Sequence, residues 1–463
     1  MDDARTLGQL RAAGWRDRSV KEEVRENLVA RLRAGDPLVA DVVGFADSVL
    51  PALERGLLAG HDLILLGERG QAKTRIVRRL VELLDERAPA IEGCELHSSP
   101  YAPVTAHARR LVEEHGDDTP IVWLDRDQRW NEKLATPDTS VADLIGDVDP
   151  IKVAEGRHLA DEETIHFGLL PRTNRGIFAV NELPDLPERI QVSLLNVLEE
   201  RDVQVRGYTL RLPLDVLLVA TANPDDYTNR GRIISPLKDR FGSQVRTHYP
   251  RTTADEIAIV HQEAAAPPGD VPVHVPRFMD EVLAELAQQL RASTQVNQRS
   301  GVSVRWTIGA HETMVAGAVR RAVRTGETRA VPRVSDLWAV VPAALGRVEF
   351  DTIEEGHEEE IVGRLLRHAI LVVFRRHLAG LDVDALLARF EDDGLEVVVG
   401  PLTPAAELMA QLGDRIPNLH AWMNALEVPV DDPGAAASVV ELVLEGLHLG
   451  RRLNKDGEGR FHA

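Results

Sequence analysis

Apolar positions divide the first half of the chain into short buried strands and amphipathic helices. Apolar runs predict strands at residues 63–66, 121–124, 175–183 and 216–220. Apolar residues spaced by three and four positions predict helices at residues 18–33, 49–58, 76–84 and 190–198. Between residues 202 and 212 apolar and polar residues alternate around Gly207, which predicts a β-hairpin.

The second half of the chain is predicted to be mostly helical. Helical spacing recurs at residues 278–290, 308–323, 365–378 and 437–449, and a short strand is predicted at 395–399. Three segments are acidic. Those at 132–138 and 143–150 contain Gly or Pro and predict solvated loops rather than a metal site. The run at 354–360 predicts a linker or a helix start.

The segment after the first apolar strand has the composition of a phosphate-binding loop. Such a loop needs small residues so that backbone N–H groups can point at phosphate oxygens, a Lys for the β- and γ-phosphates, and a hydroxyl for Mg²⁺. The candidate residues are Gly67, Glu68, Arg69, Gly70, Gln71, Ala72, Lys73 and Thr74. Ala72 stands where the strict pattern has a second Gly, and a methyl group is only a small intrusion. An ordinary glycine-containing turn is the alternative.

Polar side chains follow the two later buried strands. In phosphate-loop ATPases an Asp at the end of such a strand holds the Mg²⁺ shell, and the next acid polarises the attacking water. Glu182 fits the second role, but Asn181 can orient a metal-bound water without supplying charge. Either Mg²⁺ is held more loosely, or another acid such as Asp185 helps. Asn223 follows the next strand, where an amide would reach a γ-phosphate or its water.

These motifs, in this order, resemble AAA+ ATPases of the branch that holds the MoxR proteins and the ATPase subunit of magnesium chelatase. The resemblance covers roughly residues 40–350 and rests on segments 67–74, 180–182, 221–224 and 237–242. It implies an α/β fold in which a phosphate-loop core, a parallel sheet sandwiched by helices, precedes a helical lid and a mostly helical C-terminal region. The expected boundaries are 1–39 for an N-terminal helical extension, 40–250 for the core, 251–350 for the lid and 351–463 for a partner or assembly region.

The resemblance also implies roles for the nucleotide-site residues. Lys73 and Thr74 would bind phosphate and Mg²⁺, with Asn181 and Glu182 on the metal side. Glu182 would be the catalytic acid, and Asn223 the sensor-1 residue. The apolar residues around Val43 and Gly44 could line an adenine pocket, although core packing would explain them too.

Arginines and insertions complete the resemblance. Arg240 resembles the arginine finger that reaches the nucleotide of a neighbouring subunit. Arg305 is the candidate for the sensor-2 arginine of the lid, and Arg299 is its near rival. A surface salt bridge is the alternative role of each arginine. The hairpin at 202–212 resembles the pre-sensor-1 insertion of this branch, and residues 151–175 resemble its helix-2 insertion.

Composition narrows the class of function. A chain of 463 residues, 44% hydrophobic and 28% charged, is long enough for two to four globular domains. Its 74 acidic and 54 basic residues give a net charge of −20, which argues against a protein that coats nucleic acid. The single cysteine, Cys94, excludes an internal disulfide. No membrane-length apolar run or signal peptide is seen, so a cytoplasmic protein without a membrane partner is expected.

The sequence therefore favours an enzyme that binds ATP and Mg²⁺ and hydrolyses ATP in a homo-oligomeric ring, expected to be a hexamer. In this branch the remodelled partner usually carries a von Willebrand factor A domain. Asn181 leaves open a nucleotide-dependent assembly switch with very slow hydrolysis. A metal-insertion subunit of the magnesium-chelatase type is a further alternative, and a transcription regulator that contacts DNA or a sigma factor has less support.

Overall fold

The computed structural model describes residues 3–154, 162–199, 202–205, 208–223, 232–267, 269, 271–298, 300–351, 356–413 and 416–463. The chain folds as two units, residues 1–248 and 249–463. Arg299, Pro224, the hairpin turn at 206–207 and residues 155–161 of the expected insertion lie outside the described residues. The finer division into extension, core, lid and C-terminal region stays a prediction.

The first unit alternates helices and strands. Its helices are α1 (Leu7–Ala12), α2 (Val20–Ala34), α3 (Val49–Leu58), α4 (Lys73–Arg79), α5 (Ala106–His115), α6 (Val141–Leu144), α7 (Pro150–Ala154), α8 (Leu169–Arg172), α9 (Glu188–Glu199) and α10 (Ser235–Arg240). Its strands are β1 (Leu63–Leu66), β2 (Arg87–Ile91), β3 (Ile121–Asp125), β4 (Trp130–Leu134), β5 (Gly146–Val148), β6 (Ile165–Phe167), β7 (Gly176–Asn181), β8 (Asp202–Val205), β9 (Tyr208–Arg211), β10 (Val216–Ala222) and β11 (Ser243–Arg246).

Five strands form a parallel central sheet in the order β11-β1-β10-β7-β4. A parallel sheet is covered on both faces, which explains why its inner strands are mostly apolar. Successive residues of β7 enter different cores: Ile177 and Ala179 pack in one cluster with the phosphate-loop helix α4, and Phe178 and Val180 pack in the other. The predicted α/β sandwich is confirmed.

Three local predictions were wrong. The acidic segment at 132–138 is not all loop, because Trp130–Leu134 is the edge strand β4, whose polar residues have partners: Asn131 donates to Thr173 Oγ1 at 3.0 Å. The segment at 143–150 includes the last turn of α6 and the strand β5, which pairs with β6. The helix predicted to reach residue 84 ends at Arg79 and continues as a 3₁₀-helix over Leu80–Leu83.

The predicted strand at 121–124 is present, but it is not part of the central sheet. β3 pairs antiparallel with β2 in a two-stranded sheet of its own. The hairpin predicted at 202–212 is confirmed, since β8 and β9 pair antiparallel from Asp202 opposite Arg211 to Val205 opposite Tyr208. Both small sheets lie outside the central sheet.

The N-terminal helix α2 is part of the first unit's core. Ser19 and Glu22 form a capping box at its start, and Gly35 in a left-handed conformation (φ 81°) ends it. Val20, Val24 and Leu28 are buried in the same cluster as the strand residues Leu63 and Leu65. A buried ion pair described below adds a polar anchor.

The second unit is helical with one small antiparallel sheet. Its helices are α11 (Thr253–Glu263), α12 (Arg277–Ala292), α13 (Val304–Thr325), α14 (Val334–Leu337), α15 (Val340–Ala344), α16 (Glu358–Leu378), α17 (Asp384–Glu391), α18 (Ala405–Leu412), α19 (Leu419–Ala425) and α20 (Pro433–Leu449). Its strands are β12 (Val397–Val398), β13 (Asn454–Lys455) and β14 (Arg460–His462), in the order β12-β14-β13.

One apolar cluster runs through the second unit, from Phe278 to Phe461. The long helices predicted from spacing are confirmed: α12 packs on α16, and α16 packs on α20. Most of α20 is buried, from Ala435 to Leu447. Among the described residues, no helix combines the length and apolar character needed to cross a membrane.

Candidate active site

The candidate residues of the first unit meet at the carboxyl edge of the central sheet. Leu66 at the end of β1 is paired with Ala222 at the end of β10, and Ala220 is paired with Val180 near the end of β7. The residues that follow these strands are Gly67, Asn223 and Glu182. Ligands of open α/β sheets bind at this edge. The structure therefore brings the phosphate-loop, sensor and acid candidates together.

Lys73 lies inside the curve of the loop. Its side chain is buried, and Nζ donates to the carbonyl oxygens of Gly67 and, at 2.8 Å, of Glu68. A Lys ammonium carries three donors and no acceptor, so it can exchange carbonyl oxygens for phosphate oxygens without changing its role as donor. This is the place that a phosphate-binding Lys requires.

Gln71 and Thr247 stabilise the loop through buried hydrogen bonds. Gln71 Oε1 accepts from the backbone N–H of Glu68 at 3.1 Å and from Thr247 Oγ1 at 2.7 Å. A Cβ at Gly67 would lie 1.8 Å from Thr247 Oγ1 and 2.3 Å from Gln71 Oε1, so only glycine fits. Sequence reasoning missed Thr247. Its signal was available, because it directly follows the strand β11 and so lies at the same sheet edge.

Ala72, which replaces the second Gly of the loop pattern, carries a backbone cost and not the small steric cost expected. Ala72 adopts a left-handed backbone (φ 54°, ψ 13°), next but one to Gly70 at φ 77°. The expectation that the methyl group is a small intrusion overlooked this conformation. A left-handed non-glycine residue costs about 1–2 kcal/mol, so the penalty lies in the backbone.

Asn181 and Glu182 are held by a buried threonine of the neighbouring strand. Thr221 Oγ1 donates to Asn181 Oδ1 at 3.2 Å and accepts the backbone N–H of Glu182 at 3.1 Å. Glu182 itself has a left-handed backbone (φ 54°, ψ 49°). Strain of this kind is concentrated at functional sites. The geometry thus fixes the backbone of the candidate catalytic acid and the orientation of the amide beside it.

The other face of the Asn181 amide meets a carboxylate that sequence reasoning missed. Asn181 Nδ2 donates to Glu132 Oε1 on the adjacent strand β4. Glu132 also accepts from Arg78 of α4, at 2.7 Å from Nε and 3.1 Å from Nη2. The hydrogen bond and the charge of Glu132 raise the pKa of Arg78. Arg78 lies one turn after Thr74 on the same face of α4.

Asn223 directly follows β10 and is buried. Its side-chain Oδ1 is shielded from solvent and has no hydrogen-bond partner within the described residues. Buried amide oxygens are normally paired, so an orphaned one at a sheet edge invites a ligand or water. This is the observation that fits a polar cofactor most directly.

The segment that contains Val43 and Gly44 is tied to the phosphate-loop helix. Arg75 Nη1 donates to the carbonyl oxygen of Asp41 at 3.2 Å, and Arg79 Nη2 pairs with the Asp41 carboxylate at 2.7 Å. Gly44 has φ 79°. Val43 and Gly44 therefore lie beside α4, and their part in an adenine pocket stays a prediction.

The two arginine candidates belong to different units. Arg240 is the exposed last residue of α10 in the first unit. An exposed position is what a residue acting on a neighbouring subunit needs. Arg305 is the exposed second residue of α13 in the second unit. Their finger and sensor-2 roles stay predictions.

The residues present fit ATP with Mg²⁺. The part of the chain that the structure describes contains no group of three or more His, Cys, Asp or Glu that could hold a metal. Mg²⁺ commonly binds through one or two protein groups together with substrate phosphates, so such a cage is not needed. Thr74, Asn181 and Glu182 are the residues that would hold it, and Lys73 would hold the phosphates.

Comparison with known proteins shows what the chain is similar to. A model described as the Sigma-54 interaction domain matches residues 155–237. The magnesium-chelatase 38 kDa subunit of Cereibacter sphaeroides is 29% identical over 223 residues, which cover 47% of this chain and 59% of that protein. These matches support the similarity of the chain to AAA+ ATPases of the branch that holds the MoxR proteins and the magnesium-chelatase ATPase subunit. The recognition made from the sequence motifs is confirmed.

Two further comparisons give the extent of the likeness. The magnesium-chelatase subunit ChlI of Cyanophora paradoxa is 25% identical over 310 residues, which cover 63% of this chain and 85% of that protein. A solved complex of the magnesium-chelatase subunits BchI and BchD is 21% identical, with a TM-score of 0.34, and the match covers 70% of this chain and 98% of that one. The chain spans about three fifths of the length of the first relatives it matches. AAA+ proteins of this branch use ATP with Mg²⁺.

Proposed function

We propose that this AAA+ protein binds ATP with Mg²⁺ and hydrolyses it as a ring of identical subunits, expected to be a hexamer, in order to remodel a partner protein. One observation carries the proposal. Lys73, Glu182 and Asn223 each follow a central strand or its loop, and they converge at one sheet edge. The similarity to AAA+ ATPases supports the same chemistry.

The chain's own residues divide the work of phosphoryl transfer to water. Lys73 holds the phosphates, and Thr74 offers a hydroxyl to the metal. Mg²⁺, when bound, neutralises phosphate charge. Glu182 polarises the attacking water and accepts its proton, and Asn223 holds that water or the γ-phosphate through its amide. In such reactions positioning and electrostatic stabilisation supply most of the catalysis.

Arg240 completes the site of a neighbouring subunit in this proposal. A cation that acts between subunits makes hydrolysis depend on assembly, and arginine fingers contribute about 10³–10⁵-fold to turnover. The partner is proposed to be a protein with a von Willebrand factor A domain, the usual partner in this branch. Residues 351–463 would contact the partner or neighbouring subunits.

Phosphate release tests the proposal. Glu182→Gln is expected to lower turnover by about 10²–10⁴-fold, because the side chain can no longer accept the proton of the attacking water. Nucleotide is expected to bind still, because Gln keeps the size of the side chain and an oxygen for the metal side. Arg240→Ala is expected to lower turnover without loss of binding. Arg87→Ala is the matched control, since Arg87 pairs with Asp125 where both side chains are more than half exposed.

Mixing the two variants isolates the shared site. A ring of Glu182→Gln and Arg240→Ala chains contains sites with an intact Glu182 in one chain and an intact Arg240 in its neighbour. Partial recovery of phosphate release on mixing would support the proposal. Arg240→Ala protein that hydrolyses ATP at the wild-type rate would exclude a shared site. Proteins that co-purify with Glu182→Gln in ATP would identify the partner.

A second candidate is a nucleotide-dependent assembly switch that turns ATP over very slowly. The neutral Asn181 at the metal side favours it. Wild-type and Glu182→Gln proteins with the same low phosphate release, but nucleotide-dependent assembly, would support the switch over the motor. Fast wild-type turnover that Glu182→Gln abolishes would exclude it.

Two other functions have weaker support. A magnesium-chelatase role follows from the similarity of relatives that bear that name. A transcription regulator follows from the partial match to the Sigma-54 interaction domain, which covers only residues 155–237. Duplex DNA binding that weakens steeply with salt would favour the regulator, against the net charge of −20.

A further inference from the structure

At the metal side of the candidate site, an amide and a carboxylate lie next to each other on neighbouring strands. Asn181 stands where a charged residue would face Mg²⁺, and Glu132 stands beside it on β4. In the register of the two strands, Glu132 pairs with Ala179 and Leu134 with Asn181. Side chains two residues apart on a strand share a face. Glu132 and Asn181 therefore both lie on the face that also carries Ala179 and packs against α4.

The hydrogen-bond chain fixes which end of the amide meets Glu132. The backbone N–H of Glu182 donates to Thr221 Oγ1, whose own proton goes to Asn181 Oδ1. The Asn181 NH₂ group is then the end that donates to Glu132. The carboxylate is thus linked through two side chains to the backbone of the candidate catalytic acid.

Glu132 is mostly buried, and its counter-ion is largely exposed to solvent. Its side chain is 19% exposed, and its counter-ion Arg78 is 63% exposed, so solvent reaches and screens the guanidinium. Arg78 approaches from α4, one turn beyond Thr74, while Asn181 approaches from the sheet. The carboxylate therefore lies between the sheet and the helix that begins at the phosphate loop.

We propose that Glu132 supplies the negative charge that Asn181 lacks at the metal side of the nucleotide, and that it acts through the Asn181 amide. Asn181 would orient a metal-bound water, and Glu132 would provide the negative charge. Two residues would then do what one aspartate does in other phosphate-loop ATPases. Glu132 is in this account a positioning residue, because it would act on the metal only through its hydrogen bond with Asn181. The inference rests on the proposed function, since it requires a nucleotide with Mg²⁺ at this edge.

The test measures how much Mg²⁺ tightens nucleotide binding. ADP affinity of the full chain is measured by calorimetry with Mg²⁺ and again with EDTA, and the ratio of the two dissociation constants isolates the metal. Removal of outer-shell partners of metal ligands typically costs 10–100-fold in metal affinity. Glu132→Gln is expected to lower the ratio about tenfold or more, with the EDTA value unchanged. A structural role would weaken both affinities alike.

Transfer of the charge gives the decisive comparison. The double variant Glu132→Gln/Asn181→Asp places the carboxylate on β7, and its ratio is expected to return to within about threefold of wild type. Glu95→Gln is the matched control, since Glu95 pairs with Arg172 at the surface, where both side chains are more than a third exposed. Arg78→Gln removes the counter-ion and leaves the Glu132 side chain in place, and its ratio is expected to stay at least as high as that of wild type.

The outcomes separate this inference from the proposed function. A wild-type ratio in Glu132→Gln would overturn the inference alone, as would a double variant that folds but stays as low as the single one. If Glu132→Gln does not fold, Arg78→Gln decides: a large fall of its ratio would overturn the inference, because packing and not charge would be responsible. Wild-type protein that binds no ADP would overturn the proposed function, and the inference with it.

Discussion

The buried pair Glu23–Arg129 allows a quantitative test of how the N-terminal helix is held. Glu23 of α2 is 5% exposed and Arg129 is 1% exposed. The pair is bidentate, at 2.9 Å for Nη1 to Oε1 and 2.6 Å for Nη2 to Oε2. Glu23 also accepts from the backbone N–H of Asp85 at 2.7 Å. Glu23→Ala removes all three hydrogen bonds.

The cost of Glu23→Ala follows from the charge it leaves behind. Arg129 would stay buried without its carboxylate, near a second guanidinium, Arg175, whose pKa is lowered by burial and also by the charge of Arg129. Asp215 is a poor substitute, because burial raises the pKa of its carboxyl and it already accepts the backbone N–H of Val20. Removing one partner of a buried pair typically costs about 3–5 kcal/mol.

Urea unfolding measures the loss, and amide hydrogen exchange of α2 locates it. Glu23→Ala is expected to lower the free energy of unfolding of the first unit by about 3–5 kcal/mol. Asp117→Ala is the control, since it removes an ion pair with Arg11 in which both side chains are more than half exposed, and is expected to cost less than about 1 kcal/mol. Equal effects of the two variants would refute the argument from burial.

Three glycine and alanine exchanges test the backbone arguments. Ala72→Gly is expected to raise the free energy of unfolding by about 1 kcal/mol, because φ 54° is strained for alanine; thermal unfolding of a less stable variant would contradict this. Gly67→Ala is expected to weaken ADP binding at least about tenfold, because its Cβ would meet the side chain of Thr247. An ADP affinity of the variant equal to that of wild type, measured by calorimetry, would contradict this. Gly446→Ala is expected to destabilise the second unit by about 1–3 kcal/mol, because its Cβ would lie 2.3 Å from the Phe374 ring. If the higher helix propensity of alanine were the larger effect, urea unfolding would show a more stable variant, which would contradict this prediction.

The sequence predicted the centre of the fold well because parallel strands are buried on both faces. β1 is apolar along its whole length, and β7 and β10 are apolar except for Asn181 and Thr221 near their carboxyl ends. A short run of this kind is typical of a strand covered by helices on both sides. The edge strand β4 lacked this signal, since its polar residues find partners on α4, next to α8 and on the neighbouring strand. Hydropathy alone cannot reveal a strand whose polar groups are satisfied by tertiary contacts.

The same limit applied to the site. Gly67, Lys73, Glu182 and Asn223 could be predicted because each belongs to a local motif at the end of a strand or in its loop. Glu132 could not, because it lies within a strand, and only the pairing of β4 with β7 brings it to Asn181. The backbone strain at Ala72 was also hidden, since composition does not give a dihedral angle.

Nucleotide binding by the full chain is the most direct test of the central claim, that the sheet edge around Lys73 holds ATP. Calorimetry with ADP and Mg²⁺ is predicted to give one nucleotide per wild-type chain and binding at least about 100-fold weaker in Lys73→Ala, because the buried ammonium is the charged donor that lies against the loop carbonyl oxygens. Wild-type protein that binds no nucleotide, or equal affinity in the two proteins, would contradict the account.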